Sequence, residues 1–167
     1  ATEKYPSSCD DFQFWLADDA ILSPFDIVRV ENKSDDSVTY GVVQDILHIT
    51  DGTGHLSNYV SSDFGNVDTM PMTRRLSLSY AKVSVIHNTK ENFMPVFEGS
   101  PVYTADNDDI EIALGLDNID EKTAIPAGLM RASNNVAVPI KYNGDFLIGP
   151  EGAHINISGI SGLATKT

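Results

Sequence analysis

The sequence closes on Gly159-Ile-Ser-Gly162-Leu-Ala-Thr-Lys166-Thr167, after the short apolar run Ala153-His-Ile-Asn-Ile-Ser158. A strand that runs into a glycine-bearing turn and then Lys-Thr is the pattern that begins a phosphate-binding loop. In such a loop backbone N–H groups turn onto phosphate oxygens, the lysine neutralises them and the hydroxyl residue holds Mg²⁺. The spacing nominates Gly159, Gly162, Lys166 and Thr167 as nucleotide-binding residues. The regular G-x-x-x-x-G-K-[ST] pattern, placed on Lys166–Thr167, needs glycine where Ile160 and Thr165 stand. Placed on Gly159 and Gly162, it makes the loop one residue longer. A glycine-bearing tail after a last strand is the other reading of the same residues. On the loop reading the helix that follows such a turn is missing, and the chain is expected to be the amino-terminal piece of a larger ATPase.

Other groups of reactive residues carry less. Asp106-Asn-Asp-Asp-Ile-Glu111 invites calcium, but the fifth, sixth and twelfth positions from Asp106 hold Ile110, Glu111 and Asp117. An EF-hand loop wants an oxygen ligand, glycine and glutamate there, so a capped helix start accounts for the acids. His48, His55, His87 and His154 lack metal-ligand spacing, and Cys9 alone builds no zinc site. Ser61-Ser62-Asp63 near His55 has no turn motif that exposes a serine nucleophile. Met70-Pro-Met72 and Phe93-Met-Pro95 read as packing caps. The loop Asp51 to Thr73 mixes glycine hinges with Leu56, Tyr59 and Phe64 as anchors; it either reaches a neighbouring subunit or is a mobile surface loop.

These residues sit in a chain of 167 with 41% hydrophobic content, enough for one domain with a core. The longest apolar runs are too short for a bilayer, and no signal peptide is visible. Absence of an initiator Met suggests processing or excision. One cysteine allows no internal disulfide, which implies a reducing, cytoplasmic setting. The net charge of −13, from 11 basic and 24 acidic residues, opposes direct nucleic-acid binding. The one adjacent basic pair is Arg74-Arg75. An acidic surface suits a basic protein partner, or simply solubility.

Strands are expected at Phe25–Val30, Val38–Ile49, Leu76–Ile86, Pro101–Ala105, Ala127–Arg131, Val136–Tyr142 and Phe146–Gly149. Gly41 marks a bulge or barrel corner inside the second, and Pro139 places its segment at an edge or bulge. Asn107–Gly115 has acids in its first turn and a glycine stop, the pattern of a short helix. Residues 50–75 form a long polar loop, in which Leu56, Tyr59, Val60 and Phe64 suggest one or two helical turns. Asp10–Leu22 reads as a helix that packs on the rest or on a neighbouring subunit. The fold class expected is all-β: a small closed or partly open antiparallel barrel of about six strands with one or two short helices.

Several segments resemble the amino-terminal barrel of HerA-like ATPases, the HAS barrel shared with rotary ATP synthases. Phe25-Asp-Ile-Val-Arg-Val30 and Tyr40-Gly41-Val-Val resemble its first hairpin. Ser79-Tyr-Ala-Lys-Val-Ser-Val85 resembles its central strand, and Gly99-Ser-Pro-Val-Tyr the approach to its small helix. Gly149-Pro-Glu-Gly-Ala-His-Ile-Asn-Ile-Ser-Gly159 resembles the exit into the motor domain. The resemblance spans about residues 24–167 and is most specific from 146 onward. It divides the chain into an amino-terminal extension (1–23), a barrel (24–152) and the start of a RecA/FtsK-like ATPase domain (153–167). The family's loop runs Gly-x-x-Gly-x-Gly-Lys-[Ser/Thr]. Gly159, Gly162, Lys166 and Thr167 match it; the third glycine is absent, and Leu163-Ala-Thr165 fills that stretch with one extra residue. The resemblance implies ATP and Mg as cofactors of the full-length protein, with none for this fragment. It implies a homo-hexameric DNA translocase of end resection or antiviral defence, and a nuclease partner of NurA type. The barrel's part is ring assembly and partner docking, without catalysis. A stand-alone acidic protein-interaction barrel is the alternative.

Overall fold

Alternation along two adjacent strands organises the molecule. In the computed structural model, which describes residues 3–51, 54–61, 63–65 and 76–149, β2 (Ile27–Asn32) and β3 (Ser37–Thr50) pair antiparallel around the turn at residues 33–36. Asp36 takes a positive φ of 55° there, and Ser37 N–H donates to Asp35 Oδ1 at 3.1 Å. Hydrogen bonds from Ser37 and Asn92 hold the Asp35 carboxyl below the usual carboxylate range. Because successive side chains point to opposite faces, Val28 and Val30 enter one core while Ile27 enters another.

The main sheet has five strands in the order β1-β4-β3-β2-β5, all neighbours antiparallel, with β1 Asp11–Trp15, β4 Ser77–Asn88 and β5 Val102–Thr104. β6 (Ala124–Arg131) and β7 (Ala137–Asn143) form a separate hairpin. The short helices are α1 (His55–Ser61), α2 (Asn107–Ala113) and α3 (Gly144–Ile148), with 3-10 turns at Asp63–Gly65 and Leu116–Asn118. The architecture is all-β with short helices, and among the described residues hydrogen bonds do not close the sheet into a barrel.

The first core lies on one face of the sheet and gathers Phe12, Val28, Val30, Val43, Ala81, Val83 and Val96. The second, around Ile27, Tyr40, Ala105, Ile110, Ala113 and Val138, is covered by α2 and β7. Gly41 sits where β3 changes register against β4. A Cβ there would strike the Val83 side chain and lie 3.0 Å from the Ser84 carbonyl oxygen, so only glycine lets the strands approach. α2 opens on a capping box: Asp106 accepts from Asp109 N–H at 2.9 Å, and Asp109 accepts from Asp106 N–H at 3.2 Å. It ends at Gly115, whose φ of +66° suits glycine.

Three expectations change. The stretch 10–22 supplies a strand, β1, because Phe12 and Phe14 reach the core through a two-residue period and pair opposite Val83 and Ala81. The seven strands among the described residues agree with the expected all-β fold of about six. Phe146–Gly149 is not a strand: Asn143 accepts from Asp145 N–H at 3.0 Å and starts α3, which leaves Phe146 and Ile148 exposed. Phe93 and Met94 are exposed, so they cap no core. The helical turns in the long loop are present as α1 and the 3-10 turn, and the Tyr59 and Phe64 rings meet edge-on at 5.7 Å. Leu56, Tyr59, Val60 and Phe64 are nonetheless exposed.

Candidate functional site

Three buried polar clusters and one groove stand out among the described residues. In the first cluster, β3 places Tyr40 (3% exposed) so that its hydroxyl donates to Asp109 Oδ1 at 3.0 Å. The second carboxylate oxygen faces Arg29 Nε at 3.6 Å. Arg29 also pairs with Glu31 at 3.3 Å and lies 5.7 Å from the centre of the Tyr103 ring, while His87 stacks on Tyr40 at 6.1 Å. Tyrosine, carboxylate, arginine and histidine together look like acid–base machinery. Burial and then the Asp109 carboxylate push the Tyr40 phenol up to about 12, so at neutral pH it keeps its proton. Both Asp109 oxygens are already committed, one to Tyr40 and the other to the helix cap and Arg29. A general base needs an acceptor within reach of substrate; this cluster ties α2 to the sheet instead.

Asp26 forms the second cluster. It is 5% exposed and accepts from Ser23 N–H at 2.8 Å, from Ser133 N–H at 3.1 Å and from the Ser133 hydroxyl. Ser133 lies in the turn between β6 and β7, whose ends are closed by Ala132 N–H donating to Val136 O at 2.9 Å. The carboxylate therefore fastens the separate hairpin to the start of β2. The neighbouring residue, Phe25, takes a φ of 74° and its N–H donates to Val43 O at 2.8 Å. A third polar set, Asn32, Ser37, Thr39 and Asn88, is mutually hydrogen-bonded within 3.1 Å. Every fully buried side-chain nitrogen or oxygen among the described residues has a partner.

The groove is different, because its polar groups are open. The sheet curls so that both of its outer strands, β1 and β5, line one groove of about 650 Å³. Phe12, Val28 and Val96 are buried beneath it, and Phe14, Trp15, Ile21, Phe97 and Tyr103 contribute apolar walls. Trp15 is 78% exposed. Val85 N–H donates to Asp10 O and Leu16 N–H to Ser79 O, so the even-numbered residues of β1 bond to β4. Antiparallel alternation then points the backbone groups of Asp11, Gln13 and Trp15 away from the sheet. Ser8 serves those of Asp11, donating its N–H to Asp11 O at 2.8 Å and accepting from Asp11 N–H at 3.0 Å. Gln13 and Trp15 retain open backbone edges among the described residues.

Gly159, Gly162, Lys166 and Thr167 all lie outside the described residues, as do Arg74-Arg75, Met70-Pro-Met72 and His154. His48 contacts the Ser79 hydroxyl at 3.0 Å on an exposed stretch of β3, and Cys9 is exposed. Among the described residues no three His, Cys, Asp or Glu side chains gather as a metal site, and no helix is long and apolar enough to cross a membrane. Sequence reasoning passed over Tyr40, Asp26 and the groove. A lone acid in an otherwise apolar strand start was the available signal for Asp26; the groove has none, since strand order decides which edges meet. Compared with protein-family models and with curated proteins, the sequence matches none.

Proposed function

We propose that this chain is the amino-terminal barrel of a HerA-like hexameric ATPase and DNA translocase, and that its work is ring assembly and partner docking. The open-edged, apolar groove between β1 and β5 carries this reading. Exposed Trp15, Phe97 and Tyr103, beside backbone edges that have no partner among the described residues, describe a surface built to be covered. The acidic chain, −13 overall, suits protein partners better than phosphate backbones. The segments of the resemblance also fall into a coherent order: β2 pairs with β3, β4 lies inside the sheet, and β5 leads into α2. On this proposal ATP and Mg²⁺ belong to the full-length motor, with Gly159, Gly162, Lys166 and Thr167 at the phosphates.

The test compares native mass and ATP hydrolysis of this chain with those of a version extended by about two hundred residues, roughly one more domain. The proposal expects a ring and hydrolysis from the longer protein. It further expects both to fail when residues 1–149 are removed, and ATP affinity to fall in Lys166→Ala. A longer protein that assembles equally well without the barrel overturns the assembly role. Unchanged ATP affinity in Lys166→Ala overturns the assigned phosphate loop, and a stand-alone interaction barrel then replaces the motor reading.

A further inference from the structure

The groove itself specifies what covers it. β1 is an edge of five residues without lysine, proline or bulge, the devices that normally protect edges from added strands. Its outward backbone groups at Gln13 and Trp15 are those a new strand would bond. β5 is a poorer edge, only three residues long and preceded by Pro101, which has no N–H. An added strand turns alternate side chains to one face, so every second residue would enter the groove between Phe14, Ile21, Phe97 and Tyr103.

Charge fixes the remaining chemistry. The two segments that border the groove, 3–22 and 96–104, hold the carboxylates Glu3, Asp10, Asp11, Asp18, Asp19 and Glu98, all exposed. Lys4 is their one basic residue, and it sits 5.3 Å from the Tyr5 ring centre. Like charges across a contact reject wrong partners and opposite charges steer right ones. A second copy of this chain would bring the same acids to the same rim.

We propose that the outer edge of β1 and the adjoining groove take an extended segment of a partner protein, alternately basic and apolar, as an added strand. This rests on the docking half of the function proposed above and names its surface and its partner chemistry.

Trp15, the only tryptophan, reports on the site directly. The probe is a capped peptide, Lys-Val-Arg-Ile-Lys-Val-Arg, titrated into the whole 167-residue chain. Expected are a saturable blue shift of Trp15 emission and binding that weakens several-fold as salt rises from about 0.05 to 0.5 M. The same peptide N-methylated at every residue should bind at least about tenfold more weakly, since neither of its edges then has an N–H to donate. A Glu-for-Lys/Arg version should not bind. Gln13→Pro, whose lost N–H points away from the sheet, should fold by circular dichroism and lose binding; if it does not fold, the N-methylated peptide on the unaltered protein decides the point. No shift up to about 1 mM peptide, or equal binding of the N-methylated or acidic peptides, overturns the proposal. A Trp15 shift that grows with protein concentration alone assigns the groove to a second copy and also overturns it. None of these outcomes involves nucleotide or ring formation, so failure here and failure of the motor reading are separately visible.

Discussion

Replacing Asp26 should loosen the join between the β6–β7 hairpin and the main sheet, and the cost follows from its donors. Its carboxylate receives the Ser133 N–H on one oxygen and the Ser23 N–H with the Ser133 hydroxyl on the other. In Asp26→Asn only one oxygen remains. Whichever way the amide lies, one backbone N–H faces an NH₂ group, and a buried mismatch costs about 1–3 kcal/mol. Asp26→Ala strands both N–H groups. Ser23 is exposed and recovers water, whereas Ser133 is half-buried, so the loss is about 2–4 kcal/mol. Ser133→Ala removes a hydroxyl and leaves the backbone bond, for about 1 kcal/mol. Each is a large share of the ~5–15 kcal/mol that holds a domain folded. Urea unfolding followed by far-ultraviolet circular dichroism measures all three; Trp15 emission is a weak reporter of unfolding because that side chain is already exposed. An Asp26→Asn protein within about 0.5 kcal/mol of wild type refutes the argument, as does a double-mutant cycle with Ser133→Ala that shows no coupling.

Three further outcomes are expected. Tyr40 loses its proton at about 12 in the fold against 10.0 for an ordinary tyrosine, so its contribution is complete below pH 10 and disappears as pH climbs towards 12. The stability difference between wild type and Tyr40→Phe should therefore fall by about 2–3 kcal/mol over that window, and a flat difference would count against the buried hydrogen bond. Gly41→Ala should destabilise by about 1–3 kcal/mol in thermal or urea unfolding, because the added methyl meets Val83 and the Ser84 carbonyl. At Phe25, held at φ 74°, the usual ranking inverts: Phe25→Gly should be more stable than Phe25→Ala by about 1 kcal/mol, since an L-residue with a Cβ is disfavoured there; alanine equal or better shows the strain is absent.

Most strands were legible because their side-chain period survives in the sequence. Val38–Ile49 became β3 with Gly41 at a register shift, and Asn107–Gly115 became α2 with its cap and glycine stop. β1 was missed because Phe12, Phe14, Trp15, Leu16 and Ile21 satisfy a helical stripe as well as a strand face, and only pairing with β4 separates the two. Phe146–Gly149 is short and apolar, which periodicity alone cannot assign; the Asn143 cap decides it. The groove was illegible for a deeper reason. It is lined by residues drawn from 5–22 and 96–104 together with Val28, brought together by strand order, and no local pattern encodes that meeting.

β2 carries a burden that neither its length nor its composition announces. Its successive residues Ile27 and Val28 belong to different cores. A single-residue insertion between Pro24 and Arg29 would exchange the two sets at once, sending valines towards α2 and the Arg29 guanidinium towards Phe12 and Val83. Length variation in this hairpin is therefore confined to the turn at residues 33–36, where a longer loop would cost only a fraction of a kcal/mol, about 0.6 per doubling. Divergent descendants of this fold should vary in that turn and keep the strand's length fixed.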